Sequence, residues 1–175
     1  MGYCESSLVT YFIVFFGLAL NLTGAFFYLK DMFKGTTKPN RVTAALWSLQ
    51  GAIAISAAYS DGVTWSLIPV LSAFLGPFSV LVFSFILKQA YWKLGVFDYI
   101  CGSISILALL LWYITGSANI AIAFAIIADL TAVLPSVKKS WAHPETETGI
   151  AFVLPIFGYS MAFFAFETYS FAGPC

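Results

Sequence analysis

The sequence predicts an all-α polytopic membrane protein. Its plan is two parallel three-helix repeats joined by a linker helix, a 3+1+3 order whose last helix is largely absent from the chain. Three observations predict it. First, the 175 residues are 61 % hydrophobic and only 9 % charged, with mean hydropathy +0.91. A soluble domain of this length needs more charge to stay solvated. Second, the apolar residues gather into long runs separated by short polar connections. Third, two decapeptides, "NLTGAFFYLK" (Asn21–Lys30) and "DLTAVLPSVK" (Asp129–Lys138), align without a gap at an offset of 108.

The runs come in order. A bilayer core of about 30 Å takes about 20 helical residues to cross. Five runs meet that length, at about 8–29, 42–60, 64–87, 96–115 and 118–137, and a sixth covers about 148–166. No basic segment precedes the first run and no small-residue cleavage site follows it, so it is expected to be retained rather than removed as a signal peptide.

The basic residues orient the runs. All eight lie in three connections: Lys30, Lys34, Lys38 and Arg41; Lys88 and Lys93; Lys138 and Lys139. The alternate connections carry none. Positive charge stays on the cytoplasmic side, so these three connections are expected inside and the N-terminus outside, in a plasma membrane or a bacterial inner membrane. Tyr59, Trp65 and Trp112 near the outer ends, and Tyr91, Trp92 and Trp141 near the inner ends, read as interfacial anchors.

The repeat extends past the decapeptides. After a three-residue deletion, Pro39 falls on Pro144, Thr43 on Thr148 and Trp47 on Phe152. Farther on, "TWSL" at Thr64 falls on "TYSF" at Thr168. Run one thus corresponds to run five and run two to run six. Equivalent helices share one orientation, which is a parallel repeat about an axis along the membrane normal. The expected organisation is a first bundle over 1–88, a linker helix over 89–117 and a second bundle over 118–175. Thr168 is expected to open a third helix of that second bundle, which the chain ends too soon to complete.

This arrangement, with the stretches "YLKDMFKGTTKPNRVT" and "LPSVKKSWAHPETET" closing the first helix of each unit, resembles the PQ-loop superfamily. That superfamily includes the SWEET sugar transporters and the KDEL receptor. The resemblance implies a 3+1+3 bundle and either a transporter of small solutes or a non-transporting receptor. No proline–glutamine pair occurs here, and Gln50 stands in run two where Pro155 stands in run six.

The candidate site follows from depth. Asn21 and Asp129 each lie nine residues before an inner-edge lysine, roughly 13–14 Å inside at the helical rise. That is close to the midplane. A carboxylate there costs about 3 kcal/mol on insertion scales, so Asp129 must face a polar cavity, find a partner or stay protonated. The functional reading has the two residues lining a central solute site, with proton linkage at Asp129. The bland reading has each hydrogen-bonding a neighbouring helix. Trp47, about 9 Å inside Arg41, and Phe152 could wall such a site or simply pack, and Gln50 adds polarity. Thr23 and Thr131 point away and are expected to bond back to their own helices. Pro77, Pro135 and Pro155 stand inside runs, as hinges or static kinks.

Other chemistry is not expected. Cys4, Cys101 and Cys175 share no context, and His143 is the only histidine. Neither set makes a disulfide framework or a metal site. No catalytic residues and no cofactor are expected, the chain is read as not an enzyme, and its zero net charge points to no nucleic-acid partner. The expected partners are the lipid bilayer and a small polar solute of the sugar or amino-acid class, and a homo-oligomer is compatible with the sequence. The expected function is small-solute transport through a midplane site between two bundles. The alternative is a receptor or scaffold subunit of the same superfamily.

Overall fold

The computed structural model describes residues 8–60, 67–87, 92–114 and 118–165. Thr168, Trp65, Tyr91, Cys4 and Cys175 lie outside the described residues. Six α-helices fill the described chain: α1 (Leu8–Phe33), α2 (Arg41–Ser60), α3 (Leu67–Ile86), α4 (Val96–Ile114), α5 (Ala118–Ala142) and α6 (Ile150–Ala165). A single 3-10 turn, Pro144–Thr146, links α5 to α6. Among the described residues there is no strand. The regular structure of the described residues is all helical.

Each apolar run becomes one helix, and local chemistry sets the ends. The chain leaves α1 through Gly35 at φ 78°. The Gly35 N–H donates to the Met32 carbonyl (3.0 Å) and the Thr36 N–H to the Asp31 carbonyl (3.1 Å). That is a Schellman motif, and it needs a residue free to adopt left-handed backbone. Asn40 caps α2, its Oδ1 accepting from the Val42 N–H (2.9 Å) and the Thr43 N–H (3.3 Å). Asp98 caps α4 from inside its first turn, accepting the Gly95 N–H at 2.6 Å. Pro77, Pro135 and Pro155 all lie inside continuous helices.

By length and composition, one described helix is long and apolar enough to cross a membrane, over Phe12–Phe33. The apolar stretches Val70–Ile86, Val96–Leu111 and Ile150–Ser160 are shorter. Helices α2 and α5 are diluted by Thr43, Ser48, Gln50 and Ser56, and by Asp129, Thr131 and Ser136. Of these, Thr43, Ser48 and Ser136 are buried, while Ser56 and Asp129 are exposed. Thr43 Oγ1 donates to the Ala132 carbonyl (2.7 Å) and receives Ser136 Oγ (3.0 Å), joining α2 to α5. Ser105 Oγ donates to the Ala128 carbonyl (3.0 Å) and meets Thr131 Oγ1 at 2.6 Å, joining α4 to α5. Outside, Phe12, Phe26, Phe85, Leu110, Leu130 and Phe157 stand exposed.

The helices pack in a definite order. Helix α3 touches both α1 and α2, which do not touch each other. Helix α1 packs most extensively on α6, and α2 packs on α5. Helix α4 lies against α5 and, less, against α2, and no contact joins α5 to α6 among the described residues. Small residues permit the close approaches. Ala128 and Ala132, four apart on α5, are fully buried. At Gly51 an added Cβ would lie 2.9 Å from both Cα and Cβ of Phe74 on α3. Backbone cannot give way as a side-chain tip can. Gly51→Ala is expected to destabilise the fold by about 1–3 kcal/mol, the usual cost of overpacking; thermal unfolding of the variant beside the native chain measures it.

The three basic connections meet at one end of the bundle. The Lys38 N–H donates to the Thr146 carbonyl (3.0 Å) and the Trp92 N–H to the Pro39 carbonyl (3.1 Å). Arg41 closes the end of α3, donating to Ser84 Oγ (3.2 Å) and the Ser84 carbonyl (2.5 Å) while lying 4.3 Å from the Phe85 ring centroid. Asn40 also donates to Asp98 Oδ1, which fixes α4 to the start of α2.

Candidate functional site

Four helices contribute the polar groups of the candidate site. Asp129 projects from α5, where it is exposed, with the side chain of Trp47 on α2 nearby. Tyr159 on α6 lies within electrostatic range of the same carboxylate. The neighbouring Gly158 meets α1: its Cβ position would stand 3.0 Å from the Gly17 carbonyl oxygen and 3.6 Å from Asn21 Oδ1. Asn21 is therefore pressed against α6 one residue from Tyr159. The link from Asn21 to Asp129 thus runs through consecutive residues of α6.

Two buried amide atoms, one on α1 and one on α2, lack partners. Asn21 Oδ1 and Gln50 Nε2 are buried with no hydrogen bond. A buried amide group without a partner costs about 1–3 kcal/mol, so such groups call for a ligand or water. Phe152 sits elsewhere. It packs on the buried Tyr28 and Met32, its ring edge-on to Tyr28 with centroids 6.2 Å apart. The ring of Pro155 lies beside Gly24 of α1, 3.4 Å from where a Cβ would stand. Thr23 and Thr131 bond back as expected, to the Ala19 carbonyl (2.7 Å) and the Ile127 carbonyl (2.8 Å).

A second polar cluster, at the basic end, has no counterpart in the sequence reading. Lys139 Nζ lies 2.5 Å from Glu147 Oε1, and their side chains are only 1 % and 5 % exposed. The contact is an ion pair without hydrogen-bond alignment, since neither Glu147 oxygen has an aligned donor. Lys139 instead directs its hydrogens at the Lys38 carbonyl and, at 3.4 Å, the Thr146 carbonyl. The Tyr28 hydroxyl stands beside the same carboxylate. Burial pushes the Glu147 carboxyl above its ordinary range, opposed by Lys139. Burial pushes the Lys139 ammonium below its ordinary range, opposed by Glu147. Nearby, Thr148 Oγ1 donates to Asp31 Oδ2 (3.1 Å) and meets Thr37 Oγ1 at 2.6 Å. This cluster ties the end of α1, the end of α5 and the start of α6 together.

Nothing in the local sequence marks that pair. Lys139 reads as one of eight orienting charges, and Glu147 as a loop acid eight residues on. Only the turn at Pro144 folds them together. Tyr159 carried a weak signal, a phenol about 13 Å into an apolar helix. Among the described residues no three metal-binding side chains converge. Comparison with protein-family models, with curated proteins and with solved structures finds no match.

Proposed function

We propose that the chain is a polytopic membrane protein that moves a small polar solute through a site bounded by Asn21, Trp47, Gln50 and Asp129, with proton linkage at Asp129. The observation that carries the reading is the pair of buried, unpartnered amides on α1 and α2, in a bundle whose α5 presents a carboxylate to Trp47. Amide and carboxylate groups held against an indole are the chemistry that recognises hydroxylated or zwitterionic solutes.

The bilayer part of the reading is supported by the distribution of polarity. Serines and threonines bond between helices while large apolar side chains stand outside. Lipid tolerates that arrangement and water does not. The gathering of all three basic connections at one end supports a single cytoplasmic face there, with the N-terminus outside.

The helix contacts support the parallel repeat of the PQ-loop type. Exchanging α1 with α5 and α2 with α6 turns the α1–α6 contact into the α2–α5 contact. Likewise α1 and α2 stand apart around α3, and α5 and α6 stand apart. Two units meeting along such an axis can rock about the groups at their junction. Pro135 and Pro155 remain the candidates for bending in the second unit and Pro77 in the first.

The test is flux of labelled sugars and amino acids into proteoliposomes under an imposed proton gradient. Gradient-dependent uptake should fall at least tenfold in Asp129→Ala. Uptake unchanged by that substitution overturns the role of Asp129. Saturable binding without flux overturns transport and leaves a receptor.

A further inference from the structure

We propose that the cleft between the start of α4 and the end of α5 binds the phosphate of an anionic phospholipid from the inner leaflet. The inference rests on the membrane reading above but not on the solute site. The cleft has a volume of about 440 Å³, and its walls include Trp92, Lys93, Phe97, Pro135, Lys138 and His143. Trp92 and His143 face each other with ring centroids 5.0 Å apart.

The charges of the cleft do not cancel. Asp98 lines it, but its carboxylate is committed to the Gly95 N–H and to Asn40. Lys139 lines it, but its charge is answered by Glu147. Lys93 and Lys138 have no acidic partner among the described residues, and Lys138 Nζ rests 4.2 Å from the Phe97 ring centroid instead. Two cations outside any ion pair, Lys93 and Lys138, therefore share one concavity with the single hydrogen-bonded carboxylate of Asp98, leaving it net positive, with apolar walls from Val96, Phe97 and Pro135.

That combination selects a ligand class. A bare anion would use the lysines and leave the apolar walls idle. An apolar ligand would leave the lysines idle. A phosphate ester attached to an apolar tail uses both. The cleft opens at the basic end of the bundle, where anionic headgroups of the cytoplasmic leaflet collect. A phosphate-bearing soluble metabolite shares part of this chemistry, so the test separates the two sources.

The full chain, purified in detergent, is titrated with phosphatidylglycerol, phosphatidylcholine and glycerol 3-phosphate, and bound ligand is counted by native mass spectrometry. One phosphatidylglycerol should be retained in preference to phosphatidylcholine. A juxtamembrane lysine contributes about fivefold to such binding, so Lys93→Gln with Lys138→Gln should weaken it about 25-fold. Lys30→Gln with Lys34→Gln, at the same end but outside the cleft, should leave it unchanged. Equal weakening by both pairs means diffuse leaflet charge and overturns the site, as does equal retention of phosphatidylcholine. Glycerol 3-phosphate bound as tightly as the lipid overturns the lipid source in favour of a soluble ester. A chain recovered in the aqueous fraction defeats the membrane reading and this inference together. A membrane-embedded chain with no lipid preference defeats only this inference.

Discussion

Lys139→Met should cost the fold about 3–5 kcal/mol, while the double replacement Lys139→Met with Glu147→Leu should cost far less. The reason is the burial of both side chains, 1 % and 5 % exposed at 2.5 Å separation. Removing the cation leaves a carboxylate out of water with no opposite charge. Removing both leaves two apolar side chains of similar bulk. Three connections converge on Lys139, through the carbonyls of Lys38 and Thr146, the carboxylate of Glu147 and the ring of Trp92. Its loss should therefore loosen the whole basic end rather than one loop. Thermal unfolding in detergent measures both variants, and a single variant as stable as the double would refute the account.

The same variant has a pH signature whose sign can be worked out. Burial already raises the Glu147 carboxyl, and Lys139 is the principal force holding it down. Without that cation it rises further. A carboxyl raised on folding contributes stability that is fully present below its unfolded value and lost as pH rises through its folded value. Lys139→Met should therefore recover stability on acidification from neutrality towards the ordinary carboxylate range. Adding Glu147→Gln should abolish that step. In the native chain the depressed Lys139 adds the mirror term: its contribution is present above the ordinary lysine range and lost as pH falls through the depressed value. A pH-independent loss in Lys139→Met would place the damage in packing rather than charge.

Gly158→Leu is the second large effect, at about 3 kcal/mol, the upper end of overpacking costs. A Cβ at Gly158 already meets the Gly17 carbonyl oxygen at 3.0 Å and the Gly17 Cα at 3.5 Å, and a Cβ at Gly17 would meet the Gly158 carbonyl oxygen at 3.1 Å. Both sides of the crossing are backbone, so α1 and α6 must separate. Asn21 Oδ1, 3.6 Å from the same point, moves with them. Under the proposed transport role, uptake should fall along with stability. Gly149→Leu is the control, since nothing lies within 4 Å of its Cβ position, and a surface change of that kind stays within about 0.5 kcal/mol. Equal melting temperatures for the Gly158 and Gly149 variants would show that the crossing tolerates a side chain.

The helices were legible because the signals that make them are local. Apolar runs of spanning length, a glycine free to take positive φ at Gly35 and a capping asparagine at Asn40 act within a few residues of themselves. The back-bonding of Thr23 and Thr131 was legible for the same reason. Asp129 also stood out unaided, because a carboxylate deep in an apolar run is costly wherever its helix packs.

What the sequence by itself determined, then, is six helices and where their polar anomalies lie. Tertiary structure alone decided what those anomalies meet: Trp47 rather than Asn21 at Asp129, Gly158 at Asn21, Tyr28 at Phe152, Glu147 at Lys139. Each of these joins different helices or connections, and side chains on separate elements meet only when crossing points and connection geometry are fixed. Those are set by small residues such as Gly51 and Gly158, whose message is the absence of a side chain and is read only by the helix that comes to lie against them.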